Sequence, residues 1–471
     1  MSGLAIGLAF LSSFALGFTA VVVWGGLALL SLARGGIGSI SAIVVLAAAL
    51  SGAFWAQANH AEPLTQLPSG GFEGVATVVE GPFLTQSGQR LIVRGEATLD
   101  QDLCVYGGSS PRPHVGDTLF LAGRLTLPQD LSEIGQAVLR ARNCSAQLQA
   151  DNLLVVEEGG GLQAYLSYLR TDLSDFLMQA APGDSGALLS GIVTGDDGAL
   201  SEEAGDAFLS TGTTHITAIS GANFAVLTLL LGVMATGAMR RSLWFIGIAT
   251  SAIWMYAVMV GLEPSALRAA LLATAVLAGR WLGRVPDLLT LTLLLASAQT
   301  LLRPNGFSTL AFQLSVAATL ALIVVFDGSE RIRDRSWPAA LALSVLAAQL
   351  ATLPILAARL GTFSGIGLLA NLVIGPMASI TFPVALVGGL LGLLAHAAGE
   401  VVLLPAIWLG DAMIAIVLWI SGHLPGTVQL GEAVPGAIAV LAIVCWSAIL
   451  AMSGDLRRLS RHAWLLIRNW T

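Results

Sequence analysis

Apolar residues run almost unbroken over 4–32 and, after Ala33-Arg34-Gly35-Gly36, over 37 to about 55. The first stretch has 29 residues. That exceeds the roughly 20 needed to cross a bilayer, so it predicts one tilted helix or two short ones turning near Gly17. The start lacks a basic n-region, so no signal peptide is expected. Beyond residue 210, apolar runs of helical length recur at about 216–238, 242–260, 265–279, 287–302, 307–326, 338–358, 366–397, 400–420 and 434–452. The stretch 360–432 is less regular: it has no Arg and contains Gly365, Gly367, Asn371, Gly375, Pro376 and Pro383. It predicts a re-entrant or broken helix, a form tolerated at membrane depth only where protein or a water-filled cavity surrounds it.

Between the two apolar regions the period changes to two. Short alternating segments at 75–79, 90–94, 103–106, 118–122 and 153–156 are separated by turn formers such as Ser87-Gly88 and Pro113-His114-Val115-Gly116-Asp117. Five short strands in sequence suggest a small barrel such as an OB-fold. From Leu162 the residues Tyr165, Leu166, Leu169, Leu173, Phe176 and Leu177 fall at helical spacing, with Arg170, Asp172 and Asp175 between them. That is an amphipathic helix, lying at the membrane interface or packed on the barrel.

Composition sharpens this picture. Of 471 residues 55% are hydrophobic and 11% charged, against about 25% charged in a soluble domain. A soluble globule is excluded. All 22 basic residues are Arg, which excludes Schiff-base and P-loop lysine chemistry. The net charge of −7 is unevenly spread: residues 61–210 hold 20 Asp and Glu against 7 Arg, and the remainder holds 9 against 15. An acidic, water-facing insert is therefore joined to an apolar, mildly basic body. Arg34, then Arg240 and Arg241, Arg280 and Arg284, Arg331, Arg333 and Arg335, and finally Arg457, Arg458, Arg461 and Arg468 fall at every second boundary. By the positive-inside rule the insert is extracytoplasmic and the C-terminus cytoplasmic. The expectation is a polytopic α-helical membrane protein of about 10–12 spans, some broken or re-entrant, with an extracytoplasmic OB-like barrel insert. Its parts are N-terminal spans over 1–57, the barrel over 70–158, amphipathic or interfacial helices over 161–212, a membrane body over 213–453 and a basic tail over 454–471. Cys104 and Cys144 lie in the insert, where they could form a disulfide or remain two buried thiols.

The richest polar segment is Thr211-Gly212-Thr213-Thr214-His215-Ile216-Thr217-Ala218-Ile219-Ser220-Gly221-Ala222-Asn223. On an unbroken helix Thr213, Thr217 and Ser220 share one face with Asn223 at its margin, while His215 points elsewhere. Such a face lines a bundle interior or a water path, unless the hydroxyls simply bond their own helix carbonyls. Arg268 follows Glu263-Pro264-Ser265 into a span, where it needs a partner, water or an anionic substrate, or snorkels to the interface. Gln299, Gln313, Ser315, Thr319, Gln349, Thr352 and Asn371 are further polar groups in apolar runs, each explicable singly by interhelical hydrogen bonding.

The segment 211–221, Pro264-Ser265-Ala266-Leu267-Arg268-Ala269, Phe312-Gln313-Leu314-Ser315, Ala348-Gln349-Leu350-Ala351-Thr352-Leu353-Pro354 and Leu369-Ala370-Asn371-Leu372 resemble, in order and spacing, the competence domain of the ComEC family. The N-terminal spans, the insert and its cysteine pair are similar too. The resemblance implies a channel for single-stranded DNA in natural transformation, its path lined by His215, Thr217, Ser220, Asn223, Arg268, Gln313, Gln349 and Asn371. Two departures matter. Many relatives read Ser-Gly-Leu-His where this chain has Ser220-Gly221-Ala222-Asn223, so a second His role does not carry over. Many also end in a metallo-β-lactamase-like nuclease, whereas this chain stops at Thr471, and its six scattered His offer no two-metal cluster. No cofactor, metal site or enzymatic activity is expected.

The expected partners are single-stranded DNA, the lipid bilayer, an external DNA receptor, a cytoplasmic translocase and a separately encoded nuclease. The acidic insert lacks the Arg density for polyelectrolyte capture of DNA. Stacking on Phe83, Tyr106 or Phe120 is its other route, against the plainer reading that these rings are core. A small-solute secondary transporter fits broken helices and midplane polar groups as an alternative, without a visible inverted repeat. Ala218-Ile219-Ser220-Gly221 resembles the Gly-x-Ser-Gly of rhomboid-type hydrolases, but Ala218 replaces the first Gly and no His partner follows.

Overall fold

The alternating segments close into a barrel because their inward positions are apolar on five strands in turn. In the computed structural model these are β1 (Gly70–Thr85), β2 (Gly88–Gly95), β3 (Asp102–Gly107), β4 (Thr118–Thr126) and β5 (Ala146–Glu157), ordered β1-β2-β3-β5-β4 and closed back on β1. The described residues are 70–85, 88–95, 102–142, 144–196, 198–234, 242–283, 287–302, 309–327, 337–360, 362–424, 427–429, 440–441 and 443–449. The predicted N-terminal spans of 1–57 and the basic tail of 454–471 lie outside them. All five strand signals become strands, each longer than its signal. β1 is long enough to serve two neighbours, pairing with β4 through Gly70–Thr77 and with β2 from Ala76 to Thr85. Register shifts near Glu80 bend it from one partner to the other. β3 and β5 are parallel and the other pairs antiparallel. Ala76, Val78, Leu91, Val93, Leu103, Val105, Leu119, Leu121 and Leu148 fill the interior.

Helix α1 (Glu133–Arg142) lies between β4 and β5 in sequence. On the barrel's outer face, Ile92 of β2 and Cys104 of β3 pack with Leu139 of α1 and Cys144, and Cys104 and Cys144 are joined by a disulfide. The bridge pins α1 over β2 and β3. It closes 40 residues of sequence, which in the chain-entropy model is worth about 4 kcal/mol. Cys104→Ser with Cys144→Ser is therefore expected to reduce hydrogen-exchange protection across β3 and β5. Equal protection in the variant counts against the clamp.

The helices beyond the barrel are α2 (Gly161–Ala180), α3 (Asp184–Thr194), α4 (Glu202–Ser210), α5 (Gly221–Met234), α6 (Leu243–Met259), α7 (Pro264–Trp281), α8 (Leu288–Leu302), α9 (Leu310–Asp327), α10 (Trp337–Leu360), α11 (Gly367–Leu394) and α12 (His396–His423). The chain divides into two compact units. One holds residues 56–285 and 373–424, and the other holds 1–55, 286–372 and 425–471, so the boundary falls inside α11. In the first unit α3 is the centre, with every residue from Ser185 to Thr194 buried. α2, α5, α6, α7, α11 and α12 all contribute to the same core. In the second unit α8, α9 and α10 pack through Leu293, Ala296, Leu320, Val324, Ala347 and Ala351, with Trp446 and Ile449 against them. A short antiparallel pair, β6 (Thr362–Ser364) with β7 (Thr427–Gln429), completes that unit.

Two expectations are corrected here. α11 runs unbroken through Asn371, Pro376 and Pro383, so residues 371–376 form no break or re-entrant turn. A proline removes one backbone donor and crowds the carbonyl four residues back, but Ile374, Phe382, Ala385 and Leu386 anchor the helix in the core of the first unit. The turn comes later, at Ala395, where φ −146° and ψ 90° end helical geometry. There the α11–α12 hairpin is stitched by glycine, since a Cβ on Gly399 would lie 2.2 Å from the Gly392 Cα. Residues 211–223 likewise form no continuous helix. α4 ends at Ser210, Gly212 sits at φ +67°, Thr214–Ile216 is a 3₁₀ turn, and α5 starts only at Gly221.

The barrel is seated on α2. Arg112 pairs with Asp175, Val115 N–H donates to Ser167 Oγ at 3.3 Å, and His114 stacks on Tyr168 with ring centroids 3.6 Å apart. Of the two readings of this helix, packing on the barrel is the one its contacts describe. Burial pushes the His114 imidazole below its usual pKa, although Asp117, Asp172 and Glu158 pull it the other way. The folded chain therefore binds this proton less readily than the unfolded one. The corresponding stability is whole above about pH 6.5 and is lost as pH falls below it. Acidification is expected to lower the barrel's denaturation midpoint in wild type and to lower it less in His114→Gln. Identical pH profiles for the two would remove His114 from the effect.

Candidate functional site

The last carbonyls of a helix have no partner within it, and at α3 three neighbouring elements supply one. Arg170 Nε–H of α2 donates to Thr194 O at 3.1 Å, Asn223 Nδ2–H of α5 to Ile192 O at 2.8 Å, and Tyr256 O–H of α6 to Val193 O at 3.0 Å. Gly195 follows at φ +79°, the left-handed geometry that glycine adopts without steric cost. Asp196 then turns to the barrel, where Oδ1 accepts from Leu84 N–H at 2.7 Å and Oδ2 from Ser174 Oγ at 3.4 Å. Ser174, Ser190 and Thr194 complete a buried hydroxyl chain. The end of α3 is thus a junction of the barrel with α2, α5 and α6.

Arg170 is the charge at that junction and is only 4% exposed. Its guanidinium lies 4.2 Å from the Phe83 ring centroid, and Arg90 lies 4.6 Å from the same ring. Burial lowers the Arg170 pKa, while Asp196, Glu80 and Glu263 oppose the loss of its proton. A cation at a helix C-terminus is also favoured by the helix dipole. Of the aromatics singled out in the insert, Phe83 is thus a platform for two arginines, Tyr106 packs beside the disulfide, and Phe120 stays half-exposed. Amphipathic spacing puts Arg170 among the polar positions of α2, and the sequence does not single out Asp196 or Tyr256. No local signal marks them, because their partners lie far away in the chain.

Beside this junction lies a cavity of about 320 Å³. Leu84, Thr85 and Arg90 line it from the barrel, and Phe208, Thr214 and Thr217 from the segment after α3.

The predicted lining residues divide between the two units. In the first, His215 is exposed on the 3₁₀ turn, and Thr217 is buried with its hydroxyl donating to Thr214 O at 3.0 Å. Ser220 Oγ donates to Asn223 Oδ1 at 3.0 Å just ahead of α5. Asn223 itself is held by α3 rather than aimed into open space. Thr211 and Thr213 turn back on α4, their hydroxyls 2.8 Å apart and bonding the carbonyls of Ala207 and Phe208. The shared face of Thr213, Thr217 and Ser220 is therefore replaced by a capped turn, since Thr and Ser hydroxyls compete for backbone groups. Arg268 is 3% exposed on α7, so it lies inside the helical body instead of snorkelling outward.

In the second unit Gln313 and Gln349 are half-buried on α9 and α10, and Asn371 Nδ2–H donates to Gly367 O at 2.8 Å. Ser297, Thr300, Thr319 and Thr352 bond carbonyls of their own helices. Among the described residues no group of three His, Cys, Asp or Glu could hold a metal ion.

Residues 192–455 match the model of a family described as Competence protein. ComE operon protein 3 of Bacillus subtilis (strain 168) is 28% identical over 233 residues, a stretch covering 47% of this chain and 28% of that protein. The chain therefore matches less than a third of that relative's length. No solved structure matches.

Proposed function

Because the chain belongs to the competence protein family, we propose that it is a multi-pass protein of the cytoplasmic membrane through which a single DNA strand enters during transformation. The family match carries this reading, and the surface of α12 supports its membrane part. Gly399, Leu403, Ala406, Gly410, Met413, Val417 and Ile420 form a buried seam, while Val401, Leu404, Trp408 and Trp419 stay exposed. A helix apolar on both faces belongs in a bundle surrounded by hydrocarbon. α11 and α12 are both long and apolar enough to cross a bilayer. Trp244, 85% exposed, opens α6 just after Arg240-Arg241, and exposed Trp281 closes α7. Both suit headgroup anchors on the arginine-rich, cytoplasmic side, with the barrel on the other.

The barrel is OB-like in its five strands. OB-folds hold oligonucleotides on the face of strands 2 and 3. Here α1 and the disulfide cover part of that face, which directs strand contact to the end of the barrel seated on the helices. Arg268, Gln313, Gln349 and Asn371 remain the polar groups read as lining the path. The sequence carries no Walker A loop, so a cytoplasmic translocase supplies the driving force; an external receptor delivers the DNA. The test is transformation frequency in a deletion strain complemented with this chain. Loss on deletion and restoration by the chain are expected. Unchanged uptake in the deletion strain would instead favour a small-solute transporter.

A further inference from the structure

The outer face of β1, β4 and β5 is apolar where it should be polar. α1 and the bridge of Cys104 and Cys144 lie over β2 and β3, but on this other side the side chains stay open. Direct cross-strand pairing sets Val75 beside Phe120 and Phe120 beside Leu154, a row about 10 Å long at the usual spacing of paired residues. Val75 is 41% and Leu154 52% exposed, and Phe120 is half-exposed. Val155 and Val156 follow on β5 at its register shift, Val156 63% exposed. Among the described residues of the five barrel strands, Val75, Leu154, Val155 and Val156 are the exposed large apolar side chains. They are gathered at one place. Scattered apolar residues need no explanation, whereas a cluster rimmed by polar groups marks a contact surface.

The rim is acidic. Glu73 stands one row from Val75 on β1, Asp151 and Glu157 flank Leu154 on β5, and Glu158 lies just beyond, all four exposed. Arg124 is two rows from Phe120. Such a rim repels a phosphate backbone, and it repels the same face of a second copy, since like charges would meet across an isologous contact. The barrel is closed, so a partner gains nothing by adding a strand at an edge. It must dock through side chains and bring positive charge.

We propose that this face docks a basic extracytoplasmic protein, which seats an apolar side chain on the row of Val75, Phe120 and Leu154 and sets Lys or Arg against Glu73, Asp151, Glu157 and Glu158. The side of the membrane and the partner's role as DNA carrier rest on the uptake reading above. A carrier that holds phosphates needs that same cationic surface. The acidity of the insert then has a use: its carboxylates compete with phosphate for the carrier's cations, and docking loosens the carrier's hold on the strand.

The test places p-benzoylphenylalanine at residue 154 of the full chain in competent cells, with Ser132, just ahead of α1, as the control position. Irradiation is expected to give an adduct from residue 154 and none from 132, and peptide mapping by mass spectrometry to identify a basic protein. That protein, purified, is titrated onto the full chain in phosphatidylcholine nanodiscs. Leu154→Glu is expected to weaken binding about tenfold by setting a carboxylate in the apolar row. Glu73→Gln with Glu157→Gln should slow association and flatten its dependence on salt. Thermal midpoints show that the variants fold. Labelled oligo-dT held by the partner should be released as the chain is added, and its retention would overturn the competition. No adduct from residue 154, an adduct to lipid, to a second copy or to an acidic protein, or wild-type affinity in Leu154→Glu would each overturn the docking face. If Leu154→Glu transforms at the wild-type frequency while deletion abolishes transformation, the docking face falls and the uptake reading stands. If the deletion strain transforms normally, the uptake reading falls, and adduct and titration alone judge the face.

Discussion

Gly399→Val is expected to open the α11–α12 hairpin and to cost the helical body more stability than a substitution at Gly388 or Gly375. A Cβ at residue 399 would stand 2.2 Å from the Gly392 Cα and 2.8 Å from the Gly388 carbonyl oxygen. These are backbone atoms of a packed helix, so the obstacle cannot rotate away. At Gly388 the first atoms met are on the Leu403 side chain, 2.8 and 2.9 Å away, which can shift in part. Overpacking in a core typically costs about 1–3 kcal/mol and more where backbone must move, and the valine belongs to the second class. Gly375 on α11 has nothing within 4 Å of an added Cβ. Gly375→Ala should therefore be neutral or gain up to about 1 kcal/mol of helix propensity. Thermal midpoints of the detergent-solubilised chain distinguish the two, and equal midpoints would refute the close-packed hairpin. The effect extends to α2, because Phe176 and Leu173 pack into the space that Gly392 and Gly389 leave open.

Arg170→Met is expected to destabilise the chain by about 3–5 kcal/mol, the usual consequence of removing one partner from a buried charge pair. Methionine keeps much of the volume but leaves Thr194 O without its donor, Phe83 with one stacked cation instead of two, and Asp196 and Glu80 with less countercharge. Asp196→Asn removes the charge that is left over, so the double variant should recover part of the loss. Coupling of about 0.5–3 kcal/mol is the range for residues in one network, measured by denaturant titration of the four forms in mixed micelles. Strictly additive losses would show that Arg170 acts by packing alone. Because the same junction holds Asn223 and Tyr256, Arg170→Met should also raise hydrogen exchange at the start of α5.

How far the sequence could be read depended on whether the deciding interaction was local. The strands of the barrel were legible because Val75-Ala76-Thr77-Val78-Val79 and its counterparts alternate with the pleat, and alternation depends on nearest neighbours. The apolar runs were legible for the same reason. What failed was continuity. Asn371 to Pro376 looks like a break, since a proline disrupts an isolated helix, yet α11 passes through it under tertiary packing. Thr211 to Asn223 looks like one polar helix face, yet Gly212 at φ +67° and hydroxyls that prefer the carbonyls of α4 turn it into a capped corner. Asn223 was selected as polar in an apolar setting, which it is, but its partner is Ile192 O, 31 residues away. Arg170 reads like Asp172 and Asp175 as one of the polar positions of an amphipathic helix, and its burial depends on a barrel strand some 90 residues earlier.

The sequence by itself determined which segments are apolar, where the acidic insert begins and ends, and the order of motifs that marks the competence protein family, because each is written in consecutive residues. Only the tertiary structure decided that α3 is the hub, that its free carbonyls gather Arg170, Asn223 and Tyr256, and that the barrel is bound there through Asp196 and Phe83. A helix end must satisfy its carbonyls, but which side chains do so depends on what the folded chain brings within 3 Å, and that is not encoded at any single position.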